Sequence, residues 1–240
     1  MLLGPVRLLQ HGRDGLFPRQ RLPGAEAFRR VKELVGRGET TTCFSDDEAD
    51  STLLADLARR CLEDGVRFCW TAQARIHPAM TLEWGALLRH AGCLRLYLGL
   101  ESFSDRLLRL MRKALNRRLI ARSLGELAWA GLPVTAYRIV GFPTETEAEA
   151  PETFDRVLGL VRTSGISSVH YDLFAVPPGA PVGIGPARYG IASLARSAAS
   201  DRAPMVTGFE APGLSRQRAA ELQLEFESRL DQERARARAL

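Results

Sequence analysis

An α/β fold built on a parallel sheet is predicted by three features of this 240-residue chain. Short apolar runs rich in β-branched and aromatic residues alternate with segments of helical periodicity, and strand starts recur near residues 40, 66, 94, 134 and 167. This repeat implies parallel strands joined by right-handed crossovers. The strands are apolar at most positions, as expected where both faces of a sheet are covered. An open doubly wound sheet and a full or partial β/α barrel both fit, although no G-x-G-x-x-G follows the first strand to indicate a dinucleotide-binding sheet.

The elements of the repeat follow a predicted helix at residues 24–35, with Phe28, Val31, Leu34 and Val35 inward, and a candidate short strand at residues 5–10. The predicted strands cover residues 40–45, 66–72, 94–100 and 134–141, with a fifth within residues 166–176. The predicted helices between them cover residues 51–64, 81–90, 104–112, 117–130 and 147–163. Pro151 suits a first helical turn and marks a candidate start for the last of these helices.

The repeat stops after residue 176. Four prolines and three glycines predict a loop at residues 176–187, a short helix is expected at residues 191–199, and residues 200–213 are expected to be irregular. A long amphipathic helix is predicted at residues 214–239, with an apolar side formed by Leu222, Leu224, Phe226 and Leu230. We therefore divide the chain into a β/α unit at residues 1–185 and a C-terminal extension at residues 186–240.

The composition is that of an ordinary globular protein, with 45% hydrophobic and 25% charged residues. It excludes a disordered chain, a collagen-like chain and a disulfide scaffold. The formal charge of +5 carries little information, because only two of the 33 basic residues are lysines and arginine richness is typical of a GC-rich genome. We expect no nucleic-acid partner. No run reaches the roughly 18 apolar residues of a membrane span, and no signal-peptide pattern is visible, so we expect a cytoplasmic protein without a membrane partner.

Four cysteines, Cys43, Cys61, Cys69 and Cys93, are separated by 18, 8 and 24 residues. No pair has the C-x-x-C spacing of local metal sites, so no metal site is predicted. The sequence favours four reduced, mostly buried thiols.

Polar residues follow the first two predicted strands, at the strand ends where β/α folds place their chemistry. Asp46 and Asp47, in F-S-D-D, suit a metal or the amine and hydroxyls of a ligand, but Ser and Asp are also common helix caps. Arg75, in W-T-A-Q-A-R, suits a carboxylate, and it also fits an ordinary surface arginine.

The next two strands end in acids as well. Glu101, in G-L-E-S, follows an apolar strand, where an unpaired acid is costly to bury, and this favours a ligand role. The segment G-F-P-T-E-T at residues 141–146 places a glycine where a ligand can approach the backbone, or forms a turn whose acid caps a helix. His170, Tyr171 and Asp172 are interpreted as an ordinary, partly exposed strand.

Taken in order, these segments resemble the radical S-adenosylmethionine (SAM) superfamily. The resemblance is strongest to the branch whose domain often follows a cobalamin-binding domain along the chain. The resemblance covers about residues 21–182. The segments that carry it are F-S-D-D, W-T-A-Q-A-R, A-G-C-L-R-L-Y-L-G-L-E-S, R-L-M-R-K-A and A-G-L-P-V-T-A-Y-R-I-V-G-F-P-T-E-T. It implies a partial (β/α)6 TIM-like barrel that binds a [4Fe-4S] cluster and SAM and forms a 5′-deoxyadenosyl radical.

The resemblance also assigns cofactor-binding residues, while no catalytic residue is assigned. Asp46 and Asp47 match a SAM-binding element of the second strand, and Arg75 falls where it can contact the SAM carboxylate. Glu101 and Ser102 match the fourth-strand element near the ribose and methionyl groups. The remaining matches are Ile139, Gly141 and Glu145 beside the adenine, and the Pro178-Gly179 turn after the sixth strand. Acids, arginine and hydroxyls suit the ammonium, carboxylate and ribose of SAM.

The sequence departs from the family in its cluster motif, C-x-x-x-C-x-x-C after the first strand. Residues 9–15 contain no cysteine, and iron–sulfur clusters need thiolate ligands. We therefore expect an N-terminally incomplete barrel from a truncated chain, whose first strand and cluster loop are missing or degenerate. The alternative is a cluster-free relative, a non-enzymatic SAM-binding or scaffold module.

Three further expectations follow. Cobalamin is expected only through a missing domain or partner, and a partner subunit that supplies the missing elements is an open alternative. A cation or hydrolase site on Asp46, Asp47 and Glu101 is a third alternative, although the histidines typical of hydrolytic metal centres are absent from that set. If residues 5–10 do not pair with the exposed edge of the first predicted strand, we expect poor solubility. The sequence does not name a substrate.

Overall fold

The fold is seen in a computed structural model that describes residues 23–163, 166–176, 180–195 and 208–238, without the side chains of residues 45–48, 195 and 237–238. The candidate strand at residues 5–10 and the Pro178-Gly179 turn lie outside the described residues. The strands are β1 Thr41–Ala49, β2 Cys69–Ala74, β3 Cys93–Glu101, β4 Val134–Val140, β5 Ile166–Leu173, β6 Ser193–Ala195 and β7 Gly208–Glu210. The helices are α1 Gly24–Gly36, α2 Ser51–Glu63, α3 Leu82–His90, α4 Asp105–Leu110, α5 Arg117–Trp129, α6 Glu149–Thr163, α7 Pro181–Ile184 and α8 Arg216–Arg238, with a 3-10 helix at Pro186–Tyr189.

The first five strands form one parallel sheet in the order β1-β2-β3-β4-β5. The predicted α/β class and parallel pairing are therefore confirmed. In the described part of the chain β1 and β5 are the outer strands, so the sheet is an open portion of a barrel. Because all strands run the same way, their carboxyl ends lie along one edge.

The helices of the repeat begin where the sequence offers capping side chains. Asp50, Thr81, Ser104 and Asn116 each accept a hydrogen bond from a backbone N–H in the first turn of the following helix. Helix α6 begins with a capping box, in which Glu149 N donates to Thr146 Oγ1 (3.2 Å) and Thr146 N donates to Glu149 Oε2 (3.1 Å). Helix α6 spans Glu149–Thr163, so Pro151 lies in its first turn.

The two faces of the sheet differ. On β3, Leu96, Leu98 and Leu100 are fully buried beneath the helices, whereas Tyr97 and Gly99 are only partly buried. Such alternation corrects the expectation that both faces are covered: in the described residues helices cover one face. The other, which we call the open face, carries Thr71 and Gln73 of β2, Tyr97 of β3, Tyr137 of β4 and His170 of β5. A barrel has this arrangement because its helices lie outside the strands.

The cysteines follow the same division. Cys61 and Cys93 are buried, but Cys43 and Cys69 are exposed. The prediction of mostly buried thiols is wrong for those two, because they lie on the open face at the β1–β2 pair. Cys93 is the first residue of β3 rather than a residue before it.

The region after β5 departs most from the sequence prediction. Within the loop expected at residues 176–187, Pro181 and Pro186 each begin a short helix, a position at which proline costs no hydrogen bond. The prediction of a helix at residues 191–199 is wrong, because Ser193–Ala195 form β6, which pairs antiparallel with β7. Strand β7 also interrupts the stretch expected to be irregular. Pairing between distant segments decides this region, and local patterns do not encode it.

Helix α8 packs against β4, β5 and α6. Its buried residues are Ala219, Leu222, Phe226 and Leu230, while Leu224 is 68% exposed. The assignment of Leu224 to the apolar side is wrong, because two residues rotate a helix by about 200° and place Leu224 opposite Leu222. The division at residue 185 stays a prediction. In the described residues, every helix is too short or too polar to cross a bilayer.

Candidate functional site

The carboxyl edge of the sheet brings the predicted site residues into one region. They lie within or just after the last residues of β1, β2, β3 and β4. The backbone of Asp46 and Asp47 continues β1 to Ala49, with an irregular register against β2, and their side chains are outside the described set. Asp50, not Asp46 or Asp47, caps the next helix, so the capping interpretation of that pair is wrong.

Glu101 ends β3 with its carboxylate turned back over the sheet. Its backbone has φ 60°, an uncommon conformation for a residue other than glycine. The carboxylate accepts a hydrogen bond from Lys113 Nζ (2.9 Å), and the side chain is 12% exposed. A Cβ on Gly99 would lie 2.6 Å from Glu101 Oε1, so glycine leaves the room that this carboxylate occupies. The carboxylate of Glu101 thus already pairs with one ammonium group, that of Lys113.

Ser102 is fully buried just beyond Glu101. Its Oγ accepts a hydrogen bond from Ser104 N (3.0 Å) and lies 3.5 Å from Thr153 Oγ1 of α6. These contacts shape the exit of the chain from β3 into α4. Its predicted ligand contact stays a prediction.

Glu145 forms a buried ion pair. Both Glu145 and Arg138 of β4 are fully buried, with Arg138 Nη2 and Glu145 Oε1 3.1 Å apart. Glu145 Oε2 accepts a hydrogen bond from Gly141 N (2.6 Å), and Arg138 Nη2 also donates to Ala150 O (3.1 Å). Burial raises the pKa of Glu145, and the Arg138 charge and the Gly141 N–H oppose that rise. Glu145 therefore fixes the turn after β4 from inside.

This turn at residues 141–146, which we call the motif turn, is also held by α4. Thr144 has φ 71°, which is unfavourable for a β-branched residue. Arg106 donates from Nη1 to Thr144 Oγ1 (2.9 Å) and from Nη2 to Thr144 O (2.7 Å). Arg106 Nε also donates to Glu149 Oε1 (3.0 Å). Burial alone would raise the pKa of Glu149, but hydrogen bonds from Arg106, Ser104 and Thr146 lower it to about 2.

Arg75 and Ile139 lie on either side of the β3 end. Arg75 is exposed and directly follows Ala74, which pairs with Leu98 of β3. Ile139 is partly buried and pairs in register with Asp172 of β5. These positions flank Glu101 along the sheet, because β2, β3 and β4 are neighbours.

A row of rings on the open face was missed by sequence reasoning. The ring centroids of Tyr97 and Tyr137 are 6.2 Å apart, and those of Tyr137 and His170 are 5.3 Å apart and stacked. Tyr137 pairs with His170 in register, two residues before Ile139 and Asp172. Burial raises the pKa of Tyr137, and a hydrogen bond with Gln73 opposes it. The sequence does carry a signal for this second face. In residues 94–101 leucines alternate with Arg95, Tyr97, Gly99 and Glu101, which is typical of a strand with one buried and one partly exposed face.

The described residues do not fit a [4Fe-4S] cluster. No group of three or more His, Cys, Asp or Glu side chains among them is placed to hold a metal. Burial raises the pKa of Cys61 to about 11 and that of Cys93 to about 12, which disfavours the thiolate form of both. Clusters need thiolates, and no cysteine of the sequence precedes Cys43.

Among curated proteins, the chain is similar to two methylthiotransferases. The chain is 28% identical over 158 residues to a tRNA-2-methylthio-N(6)-dimethylallyladenosine synthase of Nitratidesulfovibrio vulgaris, covering 63% of this chain and 34% of that protein. It is 29% identical over 167 residues to a ribosomal protein uS12 methylthiotransferase, RimO, of Desulforudis audaxviator, covering 65% of this chain and 35% of that protein. The chain spans about a third of the length of these relatives.

Among solved structures, the chain resembles the radical SAM methyltransferase TsrM of Kitasatospora setae, determined with cobalamin and a [4Fe-4S] cluster bound. The TM-score is 0.66 at 16% identity, covering 85% of this chain and 46% of that chain. At this identity the likeness shows the fold alone, and it supports a partial β/α barrel. A family model of the radical SAM superfamily matches residues 13–157, more than half of the chain. The protein is therefore a member of the radical SAM superfamily, whose enzymes use SAM together with a [4Fe-4S] cluster.

Proposed function

We propose that this chain is the SAM-binding part of a radical SAM enzyme that transfers a methyl or methylthio group. The observation that carries the proposal is the convergence of four motif segments, distant in sequence, on the carboxyl edge of β1–β4. The superfamily match supports SAM as the ligand, and the relatives are methylthiotransferases and a radical methyltransferase. All four cysteines of the sequence lie on β1, α2, β2 and β3, so on this proposal a partner or another domain supplies the cluster ligands and any cobalamin site. The enzyme is proposed to act in the cytoplasm.

The side chains at this edge suit the polar groups of SAM. Glu101 already accepts the Lys113 ammonium at 2.9 Å, so the same carboxylate suits the SAM ammonium or a ribose hydroxyl. Arg75, at the neighbouring strand end, suits the SAM carboxylate because a guanidinium pairs bidentately with carboxylates. The backbone at Ile139 and Gly141 is assigned to the adenine by the family resemblance. Asp46 and Asp47 remain candidates for the hydroxyl groups.

The open face below this edge is the proposed path for the substrate. Tyr97 lies four residues before Glu101 on β3, and Tyr137 lies two residues before Ile139 on β4. His170 of β5 pairs with Tyr137 in register. Aromatic rings with a few convergent polar groups are typical of ligand sites.

Anaerobic calorimetry with SAM tests the proposal. We expect the wild-type chain to bind SAM and Glu101→Ala to bind at least tenfold more weakly, because the variant lacks the acceptor at the β3 end. Glu63→Ala is the matched control, since Glu63 is exposed at the last residue of α2, beside the amino ends of the strands and away from this edge. Absence of SAM binding by the wild-type chain, or equal affinities of the two variants, would contradict the proposal.

A cluster-free SAM-binding or scaffold module is the second candidate, and the cysteine arrangement favours it specifically. The four cysteines lie on β1, α2, β2 and β3 rather than in one loop. Reconstitution with iron and sulfide tests whether this chain holds a cluster by itself. A colourless protein that still binds SAM agrees with both candidates, whereas a stoichiometric cluster supports the complete enzyme and contradicts the module.

A further inference from the structure

The motif turn is held from outside by a segment that follows the β/α repeat, residues 212–219. Thr144 N donates a hydrogen bond to Pro212 O (2.9 Å), and Leu214 N donates one to Glu145 O (2.7 Å). These bonds run in opposite directions between the same two stretches of backbone. They therefore fix both the distance and the register between the turn and the segment.

Gly213 makes this approach possible. It lies between the two bonded residues and has φ 108°, in the region that favours glycine. A Cβ at this position would lie 2.4 Å from Glu145 O and 2.9 Å from Thr144 C. Both atoms belong to the backbone of the turn, so a side chain here would force the segment and the turn apart.

The other end of the turn is held by the first turns of α8. Gly141 has φ 76°, and a Cβ on it would lie 2.8 Å from the Ala219 side chain. Arg216 Nη1 donates to Phe174 O (3.0 Å), which anchors the start of α8 beside the end of β5. The glycine of the motif turn thus permits close approach of α8 from the helix side of the sheet.

The turn needs such support because its own backbone is unfavourable. Thr144 is β-branched and has φ 71°. Strained residues of this kind persist only where the surrounding structure holds them, and they gather at ligand sites. Arg106 supplies one set of bonds to Thr144, and residues 212–214 supply the other.

We infer that residues 212–219 form a positioning element of the SAM-binding edge and that Gly213 is its essential residue. The inference rests on the proposed function for the identity of the ligand. The element lies beyond residue 157, where the superfamily match ends. It acts through the motif turn, whose backbone it sets at Gly141, Thr144 and Glu145.

A matched pair of glycine variants tests the inference. Gly213→Ala introduces a side chain into the contact with the turn. Gly38→Ala has comparable left-handed strain at φ 88°, but its Cβ meets no atom within 4 Å. We expect both variants to lower the melting temperature, and Gly213→Ala alone to weaken SAM binding at least tenfold in anaerobic calorimetry of the full chain. SAM affinities that are equal in the two variants would overturn the inference.

Amide hydrogen exchange without SAM separates this inference from the proposed function. We expect faster exchange in peptides covering residues 141–146 in Gly213→Ala and wild-type exchange there in Gly38→Ala. If the wild-type chain binds no SAM, the proposed function fails, and the exchange pattern still decides whether the segment positions the turn. Unchanged exchange at the turn in Gly213→Ala would overturn the inference.

A gentler variant covers the case in which Gly213→Ala does not fold. Arg216→Ala removes the hydrogen bond to Phe174 O while leaving the apolar side of α8 intact. We expect a two- to fivefold loss of SAM affinity and faster exchange at the turn. Arg236→Ala, an exposed arginine near the other end of α8, is the control and keeps wild-type values. Wild-type values in Arg216→Ala as well would count against the positioning role.

Discussion

The ends of β3 and β4 each carry a glutamate that the sequence assigns to one ligand site, but the fold gives the two carboxylates different surroundings. Glu101 is 12% exposed and pairs with Lys113, which is 28% exposed. Glu145 and its partner Arg138 are fully buried. The β4 end lies beneath α8, where the Arg138 guanidinium carbon is 5.4 Å from the Phe226 ring centroid. The comparison shows that a covered acid shapes the backbone of the site, whereas an accessible one remains able to meet a ligand.

Breaking the buried pair should have the largest effect. Arg138→Met leaves the Glu145 carboxylate buried without its charge partner, and we expect a loss of about 3–5 kcal/mol in the free energy of unfolding. Denaturant unfolding measures this loss. The surface pair Arg162–Glu233, whose arginine is 56% exposed, provides the control, because Arg162→Met should cost under about 1 kcal/mol. Equal losses in both variants would show that burial of Arg138 has no energetic consequence.

Truncating Phe226, the α8 side chain that packs over Arg138, should have the next largest effect on stability. Phe226 stacks on Phe154 with ring centroids 4.4 Å apart, so Phe226→Ala leaves a cavity above Arg138. We expect a loss of about 3–4 kcal/mol in denaturant unfolding. Leu224→Ala, on the exposed side of the same helix, should stay within about 0.5 kcal/mol of wild type. A comparable loss in the Leu224 variant would contradict the described orientation of α8.

Glu149 joins the two strand ends and should produce a pH-dependent effect. Its carboxylate accepts from Ser104 Oγ (2.7 Å) after β3 and from Thr146 N (3.1 Å) after β4, and its pKa falls from 4.5 to about 2. A lowered folded pKa gives stability that is present above pH 4.5 and is lost as the pH falls toward 2. We expect about 2 kcal/mol, allowing for partial screening by solvent.

Unfolding of wild type and Glu149→Gln between pH 6 and about pH 2.5 measures this contribution. The difference in the free energy of unfolding between the two proteins should narrow as the pH falls. Glu152→Gln on the same helix is exposed and should run parallel to wild type throughout. A constant gap for Glu149→Gln would show that its carboxylate does not carry the effect.

The β3 end should respond least in stability. Glu101→Gln keeps the shape of the side chain and weakens one partly exposed ion pair, so we expect a change of about 1 kcal/mol or less in unfolding. A loss as large as that of Arg138→Met would make Glu101 a structural acid like Glu145 and would remove the contrast between the two strand ends.

Much of the repeat was predictable because its signals are local. Apolar β-rich runs, the caps Asp50, Thr81 and Asn116, and glycines after helices define the elements within a few residues. The strand-end position of Glu101 and Glu145 follows from the same pattern. The family resemblance, confirmed by the superfamily match over residues 13–157, came from the order of these segments.

The C-terminal part was predicted less well for a physical reason. Strand β6 exists because it pairs with β7, and Leu224 faces solvent because Leu222 and Phe226 fill the contact with the sheet. The ring row of Tyr97, Tyr137 and His170 depends on register across three strands. These features arise from contacts between distant segments, which no local window contains.

By itself the sequence determined the parallel β/α repeat, the strand ends at which the motif residues lie, and the absence of a C-x-x-x-C-x-x-C motif, because hydrophobic periodicity, capping residues and cysteine spacing are local features. Only the tertiary structure decided which of two equivalent glutamates is buried against an arginine and which remains accessible. The reason is desolvation: the packing of α8 over β4 removes Glu145 and Arg138 from water, and no comparable cover lies over Glu101 in the described residues.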